Sequence, residues 1–535
     1  MSRKVKILDC TLRDGGRIIN CEFQPESITA LAANLTNANI DIVEMGFLRD
    51  KKNVNYHTGS TFFTDVKQIE PFIPKDKKNT IYVAFIDFNM YDFSDLAECD
   101  GSSVTGIRVG FTKAQFDTQK DDIKAALQLV KDKGYCLFVQ GVNSLGYSDR
   151  ELLDLIEFIN EIKPYGYGVV DTYGAMYLED MEHYYHLVDY NLDNDIAIDI
   201  HSHNNLQSSF SFAQYIIRLA NGKRELILDA TLNGMGKGAG NLCEELIVDY
   251  LNRKHHYDYD IDLLLDTIDA YLMPMKNEHN WGYSIPAFLS GLYQAHPNNV
   301  IYLTQKYRLS NRDIKYILMG IDEKKRQRYD YDNIQKIYRD YCDSRLDDSG
   351  TLDHLQRQIG KKVLVMAPGA SITEEYDTIE HFISAENPIV ISINFVPKSI
   401  HWDMVFFANV IHWEKNRSAL DPAKCILTSN IRTDVDGINF VDYSSLVDDA
   451  SKLYDNSTIM LLHLLKKIGV KDIYIAGFDG LKECRENYIT EAMPNVRFDI
   501  NIGEINSEVK DMYRRFKERC ASDINIKCIT NSLYE

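Results

Sequence analysis

Three short stretches gather the side chains of this chain that could do chemistry together. The sharpest is His201-Ser-His203, at the end of the run AIDIHSHNN. Neutral imidazoles are good donors for first-row divalent ions, and residues two apart on a strand share a face. The second stretch, Thr11-Leu12-Arg13-Asp14-Gly15-Gly16, offers a guanidinium, a carboxylate and two permissive glycines. Asp14 would complete a mixed nitrogen and oxygen site, which with water favours Mn²⁺, Mg²⁺ or Zn²⁺ over a soft metal. Arg13 could stabilise a developing enolate oxygen. The third stretch, residues 229–241, carries alternating glycines at 234, 236, 238 and 240. Such glycines let backbone approach a ligand and let a loop move. Its GxGxxA pattern (Gly234, Gly236, Ala239) follows an eighth strand instead of opening a first βαβ unit, and Lys237 is followed by Gly238. Neither a dinucleotide turn nor a phosphate loop is therefore read there.

The scaffold that would join these stretches is written in eight strand-like runs. They begin at Val5, Asp41, Thr80, Gly106, Tyr135, Tyr167, Ala197 and Leu226, short and rich in β-branched residues. Helical patterns lie between several. One opens with Ser148 and Glu151, a capping box, and carries Leu152, Leu153, Ile156 and Ile159. Another starts at Pro25 with Ile28, Leu31 and Leu35 on one face. Eight βα units over about 250 residues predict a (β/α)₈ TIM barrel. An open doubly wound sheet is the competitor, and it explains less well why polar residues gather at strand C-termini. In the barrel, Ile196, Ile198 and Ile200 face the helices, while Asp199, His201 and His203 face the lumen. Strict alternation cannot aim Arg13 and Asp14 inward together, so the first strand must end near Leu12.

The chain is long enough for two or three domains. The expected division is a barrel at 1–255, a helical extension at 256–345 and a separate Rossmann-like α/β domain at 355–535, with the polar run 343–362 as linker. That last domain shows strand signals in KKVLVMAPGAS, PIVISINFV, DMVFFAN, KCILTSN and KDIYIAGFDG. A net charge of −20 argues against a sequence-independent grip on nucleic acid or anionic lipid. Ten scattered cysteines without a CxxC pair suit free thiols in a reducing cytosol. No apolar run is long enough to span a membrane, and a cytoplasmic location is expected.

The motifs LDCTLRDGG, IHSHNN and NGMGKGAGNLCEE resemble the hydroxymethylglutaryl-CoA lyase-like barrel superfamily of metal-dependent lyases and condensing enzymes. Within it the chain is most similar to 4-hydroxy-2-oxovalerate aldolase-like proteins. The resemblance covers about residues 4–255. It implies that Asp14, His201 and His203 bind a divalent metal (Mn²⁺ or Mg²⁺, with Zn²⁺ as the other choice), with Asn241 a further ligand or neighbour. It makes Arg13 the enolate-stabilising arginine, and it sets Glu44, Asp171 and Thr172 at strand ends around the substrate. Two departures follow. Arg17 stands where those aldolases keep a catalytic His, and Leu232 where the CoA lyases keep a Cys. Trp281-Gly-Tyr283-Ser resembles an aldolase segment carrying an active-site tyrosine, so Tyr283 joins Arg13 as a catalytic candidate. More faintly, residues 355–535 resemble sialyltransferase-like glycosyltransferases, with Gly369 and Ser371 offering backbone N–H groups to a phosphate.

The function this implies is an aldolase-type carbon–carbon lyase acting on a 2-keto (4-hydroxy-2-oxo) acid, releasing pyruvate or a similar acid through a metal-bound enolate. The alternatives are a Claisen-type synthase joining an acyl-CoA to a keto acid, and a two-headed enzyme of surface-polysaccharide assembly whose C-terminal domain takes a nucleotide or nucleotide-sugar. Homo-oligomerisation is left open.

Overall fold

In the computed structural model the eight barrel strands are β1 Val5–Asp9, β2 Ile42–Leu48, β3 Ile81–Asp87, β4 Gly106–Thr112, β5 Cys136–Val142, β6 Gly166–Asp171, β7 Ala197–Ser202 and β8 Leu226–Ala230, and the two-residue strand Phe62–Phe63 pairs with β2 outside this count. The structure describes residues 3–306, 309, 311–328, 330–342, 346–448, 450–451, 455–482, 502–520 and 523–535. All eight strands pair in parallel and in chain order. β1 meets β2 on one side (Leu8 opposite Ile42) and β8 on the other (Leu8 opposite Asp229), which closes the barrel. The eight strand expectations hold, as does the barrel.

Alternation sorts the strand residues onto two faces. Leu8, Ile42, Val83, Phe138, Ala197 and Ile227 fill the lower lumen as one apolar cluster, which Cys10 continues upward. Ile7, Val43, Ile198, Ile200 and Leu228 pack outward against the helices. The helix Pro25–Asn37 buries Ile28, Leu31 and Leu35 as expected. The helix Asp149–Ile162 has the predicted Ser148–Glu151 capping box, but its buried face is Leu152, Leu155, Ile156 and Ile159, while Leu153 is exposed. Short 3₁₀ turns replace full helices between β2 and β3 and between β3 and β4. Beyond β8, the regular elements among the described residues are helices up to the second sheet.

The chain divides into two compact units, 1–300 with 326–328, and 301–325 with 329–535. The second holds a parallel sheet of β9 Lys362–Met366, β10 Ile389–Ile393, β11 Met404–Phe407, β12 Cys425–Thr428, β13 Asn439–Val441, β14 Asp472–Ala476 and β15 Asn525–Cys528. The order is β13-β12-β11-β10-β9-β14-β15, a doubly wound arrangement whose winding reverses between β9 and β14. The short edge strands β13 and β15 carry too few apolar residues to announce themselves. The run expected as a linker contains a helix, Ser349–Ile359, because Leu355 and Ile359 bury one face of an otherwise polar segment; residues 343–345 lie outside the described residues. Among the described residues, no helix is long and apolar enough to cross a membrane, and the eight cysteines with described side chains are free thiols.

Candidate metal centre and active site

The upper rim of the barrel is built where β1 gives way to a tight turn. β1 stops at Asp9, earlier than expected, and the amides of Asp14 and Gly15 both bond the Cys10 carbonyl. This helical winding resolves the alternation problem, since it turns Arg13 and Asp14 to the same side. Both are buried. Arg13 donates from Nη1 to Asp14 at 2.6 Å and from Nε to Glu44 at 2.6 Å. Its Nη2 is buried with no hydrogen-bond partner.

β7 presents Asp199 and His201 inward, and His203 follows just past its end. The His203 and His201 Nε2 atoms lie 3.7 and 4.0 Å from the same oxygen of Asp14. One ligand atom from each of Asp14, His201 and His203 falls within 4.8 Å of the others. Behind His201, its Nδ1 donates to Asp229 at 2.8 Å. Because an ionised carboxylate can only accept, Nδ1 carries a proton, which leaves Nε2 as the ring nitrogen that can face a metal. Burial pushes His203 down to about 4, so its ring is neutral. For Asp14, burial alone would raise the carboxyl; Arg13, His203, His201 and Arg17 outweigh it and hold it far below the usual carboxylate range.

Asn241 arrives by backbone pairing with His203. Its amide donates to Asp14 at 3.1 Å and to the Met235 carbonyl at 3.0 Å, and its buried Oδ1 has no partner. A carboxylate, two imidazole nitrogens and an orphaned amide oxygen suit a divalent ion of intermediate hardness, so the residues fit a metal. Cys10, His201 and Asp229 also cluster. Burial keeps the Cys10 thiol protonated, however, and it donates to the Ala230 carbonyl at 3.3 Å.

A buried ionic layer beneath the rim holds this arrangement. Arg108 reaches Glu44 at 3.1 Å, Asp199 at 2.7 Å and Asp229 at 2.6 Å, and Gln140 donates to Asp199 at 3.2 Å. Burial and the neighbouring Asp229 raise the Asp199 carboxyl well above its usual range. Burial would also raise Asp229, but Arg108 and His201 overcome it and keep Asp229 ionised. Sequence reasoning aimed Asp199 into the lumen without giving it a role, and missed Arg108, Gln140 and Asp229 as site residues. The available signal was a lone arginine inside the apolar strand GIRVGF.

A cavity of about 180 Å³ opens above these groups, lined by Arg13, Asp14, His201 and His203. It is smaller than the ~300–1,000 Å³ of sites for drug-sized ligands, which suits a substrate of few carbons. Arg17 and Thr172 also line it, and Thr172 Oγ1 accepts from the Asn143 amide at 2.8 Å. Lys237 and His296, not singled out in the sequence, complete the basic part of the wall.

Other expected residues lie elsewhere. Glu44 sits behind Arg13 and positions it without reaching the cavity. Asp171 turns away to accept from the amides of Ala175 and Met176, at 2.8 and 3.2 Å, and burial raises it to about 7. Tyr283 is 58% exposed and is not part of the cavity wall. In the second sheet, the turn expected to cradle a phosphate is already filled. The Gly369 amide bonds the Gly477 carbonyl at 2.9 Å, and the Ser371 amide and hydroxyl both bond the Asp479 carboxylate. A carboxylate at that spot would repel a phosphate, so Gly369 and Ser371 do not offer the free N–H groups expected of them.

Residues 4–270 match the family model described as HMGL-like. The chain is 23% identical over 317 residues to a 4-hydroxy-2-oxovalerate aldolase of Bacillus cereus, covering 58% of this chain and 89% of that one. A protein of the same name from Carboxydothermus hydrogenoformans is 24% identical over 334 residues, 59% and 91% of the two chains. Among solved structures, the N-terminal domain of a candidate aldolase from Bacteroides vulgatus gives a TM-score of 0.48 at 23% identity, covering 56% of this chain and 97% of that one. The HMG-CoA lyase of Brucella melitensis gives 0.42 at 13% identity, covering 52% and 100%.

Proposed function

Because the chain belongs through residues 4–270 to the HMGL-like family, we propose that its barrel is a divalent-metal-dependent, aldolase-type lyase for 4-hydroxy-2-oxo acids. The family and the aldolase-named relatives make it a carbon–carbon lyase; the substrate and the metal are our reading. One observation carries it: the ligand atoms of Asp14, His201 and His203 converge beside an arginine whose Nη2 is buried and unpartnered.

Asp14, His201 and His203 would hold the cation, with Asn241 alongside, and the donor set suits Mn²⁺ or Mg²⁺ with Zn²⁺ as the alternative. When bound, that ion supplies Lewis acidity toward the oxygens of a 2-keto acid. The rest falls to the chain. Cleavage breaks the C3–C4 bond, the C4 hydroxyl loses its proton as the aldehyde forms, and C3 of the released keto acid gains one. Negative charge grows on the keto oxygen meanwhile. Arg13, fixed by Glu44 and Asp14, brings its spare N–H to that oxygen, and a donor already in place needs no reorganisation. Phe85, Val142 and Val170 on the wall limit water. Arg17 offers donors and no acceptor, so it does not take the hydroxyl proton.

The test is to incubate purified protein and Mn²⁺ with a panel of 4-hydroxy-2-keto acids, and separately with acyl-CoA plus keto acids. Pyruvate release without CoA consumption is expected. Free CoA appearing only when a keto acid is present would replace this reading with a Claisen-type synthase.

A further inference from the structure

Aldol cleavage needs a group that takes the C4 hydroxyl proton and a source of a proton for C3, and the cavity wall offers few candidates. Arg13 and Arg17 only donate. Asp14, His201 and His203 are committed to the ion. Asp87 is held by Arg49 at 2.5 Å and by Arg17 at 3.6 Å. Tyr173 donates to the Gln327 carbonyl at 3.2 Å, and burial pushes its phenol up to about 12. His296 already accepts on Nδ1 from the Asn298 amide at 3.2 Å, which puts its proton on Nε2. Burial, then Lys237 and Arg17, lets that ring take a second proton only at about 4. Of the basic groups on the wall, Lys237 remains.

The loop fixes this lysine in place. On one side of it the Gly238 carbonyl accepts from the Gly282 amide at 3.3 Å, and the Ala239 amide donates to Asn205 at 2.9 Å. On the other side, a Cβ at Gly236 would fall 2.6 Å from the Asn241 side-chain nitrogen, so the backbone is packed tight there. The half-buried Lys237 Nζ donates to the Asn298 side-chain carbonyl at 3.2 Å, a neutral partner, and makes no ion pair among the described residues. The titratable groups around it are Arg17, Asp14, Cys21 and His296. Burial, then the charge of Arg17, lowers its pKa against the smaller opposing effects of Asp14 and Cys21. A lysine with one neutral acceptor, a cation nearby and little water releases its proton readily, and a base of that kind works near neutral pH.

We propose that Lys237 is the proton carrier of the cleavage: its uncharged amine takes the C4 hydroxyl proton, and its ammonium then hands that proton to C3. This rests on the lyase reading above. The C4 O–H pair becomes the second C–O bond of the aldehyde, and the C3–C4 pair passes into the enolate facing Arg13. Once the aldehyde leaves, the enolate takes the proton from Nζ at C3, and the amine is neutral again. Condensation runs the same transfers backwards, so Lys237 also removes a methyl proton from pyruvate.

The experiment uses the full chain with Mn²⁺ and compares the parent with Lys237→Ala and Lys237→Arg. It follows cleavage of the 4-hydroxy-2-keto acid panel and, by proton NMR in D₂O, deuteration of the pyruvate methyl group. Both variants should lose about 10²–10⁴-fold in kcat, the usual contribution of a general acid–base group, and both should lose methyl exchange. Parent kcat/KM should rise with pH and level off as Lys237 becomes neutral, a limb missing from Lys237→Ala. Added methylamine should return part of the rate to Lys237→Ala in proportion to its uncharged form. Parent-like turnover in Lys237→Arg overturns the proposal, because a fixed charge then suffices. So does a loss confined to KM, which marks a binding role, and so does unchanged turnover in Lys237→Ala. A parent that neither cleaves any acid of the panel nor exchanges the pyruvate methyl group refutes the lyase reading itself, and this proposal falls with it.

Discussion

Asp229→Asn singles out the carboxylate that sets the tautomer of His201. One oxygen of Asp229 accepts from His201 Nδ1 at 2.8 Å and from Arg108 Nη2 at 2.6 Å. An asparagine there keeps one oxygen and turns the other into a donor. Arg108 and His201 Nδ1 both donate to that one oxygen, so the amide oxygen takes its place and the amide nitrogen falls where the other Asp229 oxygen is buried without a partner. The ring keeps its proton on Nδ1, but a neutral amide accepts more weakly than a carboxylate and lends less basicity to Nε2, the atom nearer Asp14. Loss of a carboxylate behind a ligating histidine costs about 10- to 100-fold in metal affinity, or about 1.4–2.7 kcal/mol. Because the amide oxygen preserves both hydrogen bonds, this variant falls at the lower end. The fold should survive, because Arg108 keeps Glu44 at 3.1 Å, Asp199 at 2.7 Å and the amide oxygen; a stability loss of about 1–3 kcal/mol is expected. Calorimetric titration of Mn²⁺ into both proteins, beside urea melts of the metal-free forms, measures both effects. A Kd within about threefold of the parent, well short of the range for such carboxylates, would refute the argument: His201 would then not depend on Asp229.

Arg13→Lys should leave metal binding intact while turnover falls about 10²–10³-fold, because an ammonium cannot reach Glu44 and Asp14 together; metal analysis and steady-state rates check it. Gly46→Ala should destabilise the barrel. Gly46 has φ +145° at the bulge between Glu44 and Phe47, and a Cβ there runs into the Thr61 carbonyl oxygen; denaturant melts should show a loss of roughly 1–3 kcal/mol from the backbone alone. His203 gives a pH signature. Its ring takes a proton near 6.5 when unfolded but only at about 4 in the buried site. The unfolded chain therefore binds more protons between those values, and metal-free stability should rise with pH across that window and level off above it. His203→Gln should remove its share of that rise in urea melts, leaving the share of His296, which burial also holds at about 4.

The barrel was legible because each strand is short, apolar and β-branched, and because the two histidines sit at i and i+2 on one of them. What lies under the rim was not. Arg108, Asp199 and Asp229 are separated by up to 121 positions, and only closure of the sheet tells a buried ionic layer from three scattered charges. Lys237 and His296 come from loops whose direction no strand or helix period fixes. Glu44 was placed at the right rim but in the wrong role, since sequence cannot show that Arg13 stands in front of it. The phosphate turn at Gly369 failed for a related reason: the Asp479 carboxylate that fills it lies 108 residues beyond Ser371.

The seam where β1 meets β8 joins the two ends of the barrel sequence, and the candidate metal centre straddles it. Asp14 follows one strand, Asn241 follows the other, and the two side chains bond each other across it. A chain emerging from the ribosome in order can form β1 through β7 without owning this pair. Its ion-binding corner is finished only when the last strand comes home. An ion held there as proposed would find its Asn241 neighbour, and the Asp229 carboxylate behind His201, only in a barrel whose first and last strands have met.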